Sequence, residues 1–119
     1  LFGNHVNDFA RMVTAQQKAK EYNIILVLKS HHTLIAFPNG SKYFNSTGNA
    51  GMAKGGSGDV LTGIITSLLA QGYEPTDAAL LGVYIHGWAG DVAAKKFSKE
   101  AMLPSQLIQS LSNVFLALQ

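Results

Sequence analysis

Residues 48–63 read GNAGMAKGGSGDVLTG, with six glycines and one acid in sixteen positions. Overlapping the end of this stretch and continuing beyond it, Val60, Leu61, Ile64, Ile65, Leu68 and Leu69 recur at helical spacing, and Gly72 closes the pattern. This junction constrains the chain more than any other feature. A helix N-terminus carries N–H groups without intrahelical acceptors and a partial positive charge. Glycines ahead of it let the backbone approach an anion closely and take up φ > 0. Gly55, Gly56 and Gly58 therefore read as a phosphate cradle. The spacing is neither that of a Walker A loop nor G-x-G-x-x-G, and glycine-rich loops also occur as plain tight connections. Asp59 stands at the junction. A carboxylate beside bound phosphates repels them unless it faces the other reactant, where it can act as a base or orient a hydroxyl. The alternative is that Asp59 caps its helix.

The flanking sequence predicts what surrounds this loop. Asn7-Asp8 offers an N-cap, and Phe9, Met12, Val13 and Ala19 mark a helix to about Tyr22. The run NIILVLK reads as a buried strand, Ile24 to Lys29, and suggests a parallel sheet. TLIAFPNGSKYFN reads as a hairpin turning at Pro38-Asn39-Gly40. The loop Ser46 to Gly58 and a helix from about Asp59 to Gln71 follow. Pro75 opens the next helix, which is apolar almost all round from Ala78 to Phe97 and so reads as buried between layers; Lys95 and Lys96 suit its C-terminal dipole. Ser105 is the expected cap of a last helix, with Leu107, Ile108, Leu111, Val114, Phe115 and Leu118 on one stripe. The order α-β-β-β-α-α-α predicts one α/β domain over residues 1–119, a sheet covered by helices. Gly82, Gly87 and Gly90 suggest close helix packing, with His86 in a structural role. His86 and Asp91, five apart, share a helix face poorly.

Composition excludes several classes. Apolar residues make up 47% of 119, too many for a disordered chain. Without cysteine, disulfides and thiolate metal sites are excluded. The net charge is +2 and the nine basic residues are spread along the chain, so no nucleic-acid-binding stripe is expected. The apolar run Ile24–Leu28 is too short to span a bilayer. LFGNHVNDFARMV does not read as a signal peptide. It opens at Leu1 within an apparent loop, which suggests a stretch of a longer protein.

Three motifs in order carry a resemblance: VLKSHHT (27–33), NSTGNAGMAKGGSGDVLTGIITSLLAQG (45–72) and LGVYIHGWAGDVAA (81–94). Together they resemble the C-terminal part of the catalytic domain of the ADP/ATP-dependent NAD(P)H-hydrate dehydratases, members of the ribokinase-like superfamily. The resemblance implies the C-terminal portion of a ribokinase-like three-layer α/β fold. It also implies a repair reaction, in which a nucleotide phosphorylates the added hydroxyl of hydrated NADH or NADPH and phosphate loss restores the nicotinamide. Carried over residue by residue, it implies that Lys29, Ser30, His31, His32 and Thr33 contact ADP or ATP. The same holds for Asn49, Ala50, Gly51, Met52, Ala53, Lys54, Gly55, Gly56, Ser57 and Gly58. Asp59 would bind the substrate hydroxyl as the catalytic base, and Mg²⁺ would accompany the phosphates. A cytoplasmic protein, homo-oligomeric at full length and without nucleic-acid or membrane partners, is the corresponding expectation.

The chain departs from the family pattern in places. Ser30 stands where glycine is usual, and its Cβ limits close approach. Lys54 stands where threonine is common, either binding phosphate or solvated. Trp88 replaces a smaller apolar residue, with consequences for packing only. Lys29 is expected near the glycine loop at one sheet edge, or is an ordinary strand-end lysine. Adjacent His31 and His32 point to opposite sides of an extended segment, so shared metal ligation is not expected. Two other readings stay open: a ribokinase-like kinase acting on a sugar or vitamin precursor, and a non-catalytic fragment.

Overall fold

In the computed structural model, residues 7–29 and 32–119 are described. The chain divides into two compact units, residues 1–45 and 46–119. Each is described by itself.

In the first unit the helix α1 runs Asp8–Tyr22. Asn7 caps it as expected, its side-chain oxygen accepting from the Ala10 N–H at 2.9 Å, and Asn23 ends it in the left-handed region at φ 55°. Its buried face is small, Ala15 and Ala19, and Phe9 lies exposed outside it. Three short strands follow: β1 (Leu26–Leu28), β2 (Leu34–Ala36) and β3 (Lys42–Phe44). The expected parallel sheet is corrected here. Both pairings are antiparallel, Val27 opposite Ile35 and Ile35 opposite Tyr43. The connection from Leu28 to Leu34 is too short for the crossover that parallel neighbours require. The apolar run of NIILVLK reflects no deep burial either: β1 is three residues long and half-buried, whereas the central β2 is fully buried. The predicted hairpin is present. Phe37 N–H donates to the Ser41 carbonyl at 2.9 Å, and Gly40 supplies the positive φ of the turn, 91°.

The second unit carries the loop and three helices. A short 3-10 turn, Ala50–Met52, precedes α2 (Ser57–Ala70), α3 (Pro75–Phe97) and α4 (Pro104–Leu118). The core joins Ile64 and Leu68 of α2, Ala78, Ile85 and Ala89 of α3, and Leu107 and Val114 of α4. Gly82 lets α2 and α3 meet closely, since a Cβ there would stand 2.6 Å from Ile65 Cγ1. Two starts differ from expectation. α2 begins two residues before Asp59, because Gly56 can take the φ of +97° that turns the chain into the helix. α4 is entered at Leu103 rather than capped by Ser105: Pro104 occupies its first turn and Gln106 Oε1 accepts from the Leu103 N–H at 2.8 Å. The stripe of α4 is only half used, with Leu107 and Val114 buried but Ile108, Phe115 and Leu118 about half exposed. No helix among the described residues is long and apolar enough to cross a membrane.

Candidate functional site

The segment from Thr47 to Gly56 has little regular structure, so its shape depends on side chains that bind its backbone. The middle of α3 provides most of them. Thr47 Oγ1 donates to the Tyr84 carbonyl at 2.9 Å. One carboxylate oxygen of Asp91 accepts from the Gly48 N–H at 3.0 Å, and the other accepts from Asn49 Nδ2 at 2.9 Å. Asn49 passes the constraint on: its own oxygen accepts from the Gly51 N–H at 2.9 Å, and its carbonyl accepts from the Met52 N–H. Gly87 and Gly90 admit the loop. A Cβ on Gly87 would stand 2.1 Å from Thr47 Oγ1, and one on Gly90 would stand 2.2 Å from Met52 Sδ. The close packing expected of these two glycines is thus helix against loop rather than helix against helix.

The far end of the loop is held by the first turn of α2 and by the connection between α3 and α4. Ser57 is buried, and its N–H donates to the Lys54 carbonyl at 3.2 Å. Buried His86 holds the same residue from α3, with Nε2 at 3.0 Å from the Ser57 carbonyl and 3.4 Å from its hydroxyl. A carbonyl only accepts, so the network assigns the proton to Nε2. The Lys54 ammonium donates to three backbone carbonyls, those of Lys99 (3.4 Å), Glu100 (2.8 Å) and Met102.

The result is a fixed loop with an open rim. Gly55 and Gly56 are exposed, and a Cβ on Gly55 would meet nothing within 4 Å. Among the described residues the N–H groups of Gly55, Gly56, Gly58 and Asp59 have no protein acceptor. Asp59 lies in the first turn of α2 with its carboxylate exposed, and no side-chain hydrogen bond caps the helix. A capping role for Asp59 therefore finds no bond to rest on. From Asp59 and Gly63 a groove of about 770 Å³ runs between α2 and α4 over Ile64, Leu68, Ile108 and Phe115. The chemistry at the rim is simple: free N–H donors at the positive end of a 14-residue helix, beside one carboxylate.

The pattern that defines the family described as NAD(P)H-hydrate dehydratase matches residues 1–113. The chain belongs to that family. It is similar to a bifunctional NAD(P)H-hydrate repair enzyme of Moorella thermoacetica, 49% identical over 104 residues, covering 87% of this chain and 20% of that protein. It is 38% identical over 101 residues to an ADP-dependent (S)-NAD(P)H-hydrate dehydratase of Bacillus subtilis, covering 85% of this chain and 37% of the relative. Among solved structures it resembles the ADP/ATP-dependent NAD(P)H-hydrate dehydratase from Bacillus subtilis co-crystallized with ATP/Mg²⁺. That match has a TM-score of 0.86 at 36% identity, over 92% of this chain and 39% of the other. The chain thus has the ribokinase-like α/β fold of these neighbours and spans from a fifth to two fifths of their length.

The carried-over site residues divide between the two units. Asn49, Ala50, Gly51, Met52, Ala53, Lys54, Gly55, Gly56, Ser57, Gly58 and Asp59 are contiguous in the second. In the first unit, Lys29 is exposed just after β1, His32 is exposed and Thr33 is half-buried. Ser30 and His31 lie outside the described residues. Trp88 packs half-buried against the core, as its packing role predicts. Sequence reasoning assigned no part in the loop to Asp91, His86 or the carbonyls of 99–102. A signal for Asp91 was available: Gly87, Gly90 and Asp91 stand at i, i+3 and i+4, one face of a helix.

Proposed function

We propose that this chain supplies the phosphate-binding loop and the base of a nucleotide-dependent dehydratase that repairs hydrated NADH or NADPH. The observation that carries the reading is the open rim at the start of α2. The N–H groups of Gly55, Gly56, Gly58 and Asp59 lack protein acceptors among the described residues, and the exposed carboxylate of Asp59 is beside them. Family membership and the ADP-dependence named for the Bacillus subtilis relative support a nucleotide as the anion.

On this reading the terminal phosphates of ADP or ATP lie against the free N–H groups, which neutralise charge as it develops. The hydroxyl of the hydrate points at Asp59. As its oxygen attacks the terminal phosphorus, its proton passes to the carboxylate and the bond to the leaving nucleotide breaks. Loss of phosphate with its bonding electron pair, and of a proton from the adjacent ring carbon, restores the double bond. Mg²⁺ fits as a companion of the nucleotide. Among the described residues no cluster of three His, Asp or Glu side chains could hold it unaided, and Asp59 is the carboxylate of the first turn of α2. The ion would neutralise phosphate charge. Lys29, Ser30, His31, His32 and Thr33 are proposed as further nucleotide contacts on the family resemblance.

The test grafts this chain into the Bacillus subtilis dehydratase in place of the stretch it matches. Turnover of hydrated NADH with ADP or ATP is expected, together with loss of turnover, but not of nucleotide binding, on Asp59→Asn. A graft that folds and binds nucleotide yet turns over equally with and without Asp59→Asn would remove the base from the reading. Phosphorylation of a sugar or vitamin-precursor hydroxymethyl group without dehydration would favour the kinase alternative.

A further inference from the structure

Lys54 has a place in the loop that the phosphate reading does not use. An ammonium has three donors and no acceptor. All three are directed at backbone carbonyls of the α3–α4 connection, those of Lys99, Glu100 and Met102. Among the described residues no backbone N–H bonds to any of these three carbonyls. The connection is shaped to present them: Ser98 takes a positive φ of 72°, and the Met102 N–H folds back to the Ser98 carbonyl at 3.1 Å. It also presses on the loop at a second point, where a Cβ on Gly51 would stand 2.5 Å from the Lys99 carbonyl oxygen. Three carbonyl oxygens converging on one positive charge match the three donors of an ammonium, and they form part of the oxygen shell that a free monovalent cation would complete with water.

We propose that Lys54 is a positioning residue of the anion-binding loop. Its ammonium acts as a tethered monovalent cation in a cage of three carbonyl oxygens, and truncating the side chain turns the cage into a site for free ammonium or potassium. The backbone of Lys54 caps α2 through its carbonyl while its side chain fastens residues 99–102. The same residue therefore sets where the free N–H groups of Gly55 and Gly56 lie. The donors of the ammonium are taken up by those three carbonyls.

The cage can be tested without nucleotide, so its failure is separable from failure of the phosphate reading. The chain and its Lys54→Ala and Lys54→Met variants are melted at matched ionic strength in choline, sodium, potassium and ammonium chloride. Amide exchange at Ser57 is followed alongside. In choline, Lys54→Ala should melt about 5 °C or more below the unmodified chain, and its Ser57 amide should exchange about tenfold faster. Ammonium or potassium should restore both saturably. Lys54→Met, whose side chain fills the space without a charge, should be equally weakened and not restored. The unmodified chain should respond to none of the ions specifically. An Ala variant as stable as the parent, or ion effects equal in all three proteins, would overturn the proposal. A variant that does not fold leaves a direct measurement on the unmodified chain. The Lys54 ammonium resonance should exchange slowly and couple to the carbonyl carbons of Glu100 and Met102; exchange as fast as that of exposed Lys95 would refute the cage.

Discussion

Exchanging the partners at the Asn49–Asp91 contact tests whether α3 shapes the glycine loop through hydrogen-bond polarity or merely through packing. Asp91 offers two acceptors and meets two donors, the Gly48 N–H and Asn49 Nδ2. In Asp91→Asn one acceptor becomes a donor. Whichever way the new amide turns, a donor faces a donor at about hydrogen-bond distance. A hydrogen bond to an ionised group contributes about 1.5–3 kcal/mol, so the single variant should lose about 2 kcal/mol. In Asn49→Asp two carboxylate oxygens would meet where the present contact is 2.9 Å. Like charges that close cannot both ionise comfortably, and a loss of about 2 kcal/mol or more is expected.

The double swap restores every bond. The amide introduced at position 91 accepts from the Gly48 N–H with its oxygen and donates through its nitrogen to the carboxylate introduced at position 49. That carboxylate still accepts from the Gly51 N–H with its other oxygen. The doubly substituted chain should return to within about 1 kcal/mol of the parent, a coupling near the upper end of what contacting residues show, about 3 kcal/mol. Urea unfolding of the four proteins gives the numbers, provided the m-value is constant across the set. Additive losses, with the double variant the weakest of the four, would refute the polarity argument. So would an Asp91→Asn chain within about 0.5 kcal/mol of the parent, the range of an ordinary surface change.

Further outcomes follow from the same geometry. Gly87→Ala should cost about 2 kcal/mol or more in urea unfolding, because its Cβ would meet Thr47 backbone as well as Oγ1 and the loop must shift. Gly56→Ala should cost about 1–3 kcal/mol from the positive φ alone. It should also weaken inorganic phosphate binding followed by NMR titration, whereas Gly55→Ala, with open space around its Cβ, should leave stability within about 1 kcal/mol. In the grafted dehydratase, Asp59→Asn should lower the rate about 10²–10⁴-fold at unchanged nucleotide affinity; turnover at the parent rate would reduce Asp59 to a surface acid.

The helices and the hairpin were legible because their signals are local. Asn7 beside Asp8, Pro75, and Pro38-Asn39-Gly40 each fix a backbone state within a few residues, and the chain obeys them. The sheet is less legible, because an apolar run suggests burial on both faces whether or not the strand has it. NIILVLK leads to a half-buried outer strand, and the deciding fact was the short connection to β2, which permits only an antiparallel partner. Asp59 marks the start of α2 only approximately, since the helix begins at Ser57. The backbone turns at Gly56, where no side-chain penalty applies.

The loop's supports were illegible for a different reason: they are long-range pairs whose partners announce themselves only on a helix face. Gly87, Gly90 and Asp91 are one such stripe, two vacancies and an acceptor, and the loop lies in it with Thr47, Gly48, Asn49 and Met52. The motif IHGWAGD thus has two jobs that spacing alone separates. The Gly-x-x-Gly-Asp part seats the near end of the loop, and His86, one residue before Gly87, reaches Ser57 at its far end. Both ends of the loop are hydrogen-bonded to a single helix, which limits the freedom of the open N–H groups at Gly55 and Gly56. Binding an anion there then costs little loop-ordering entropy. The energetic argument for an anion site therefore rests as much on α3 as on the glycines whose density first marked it.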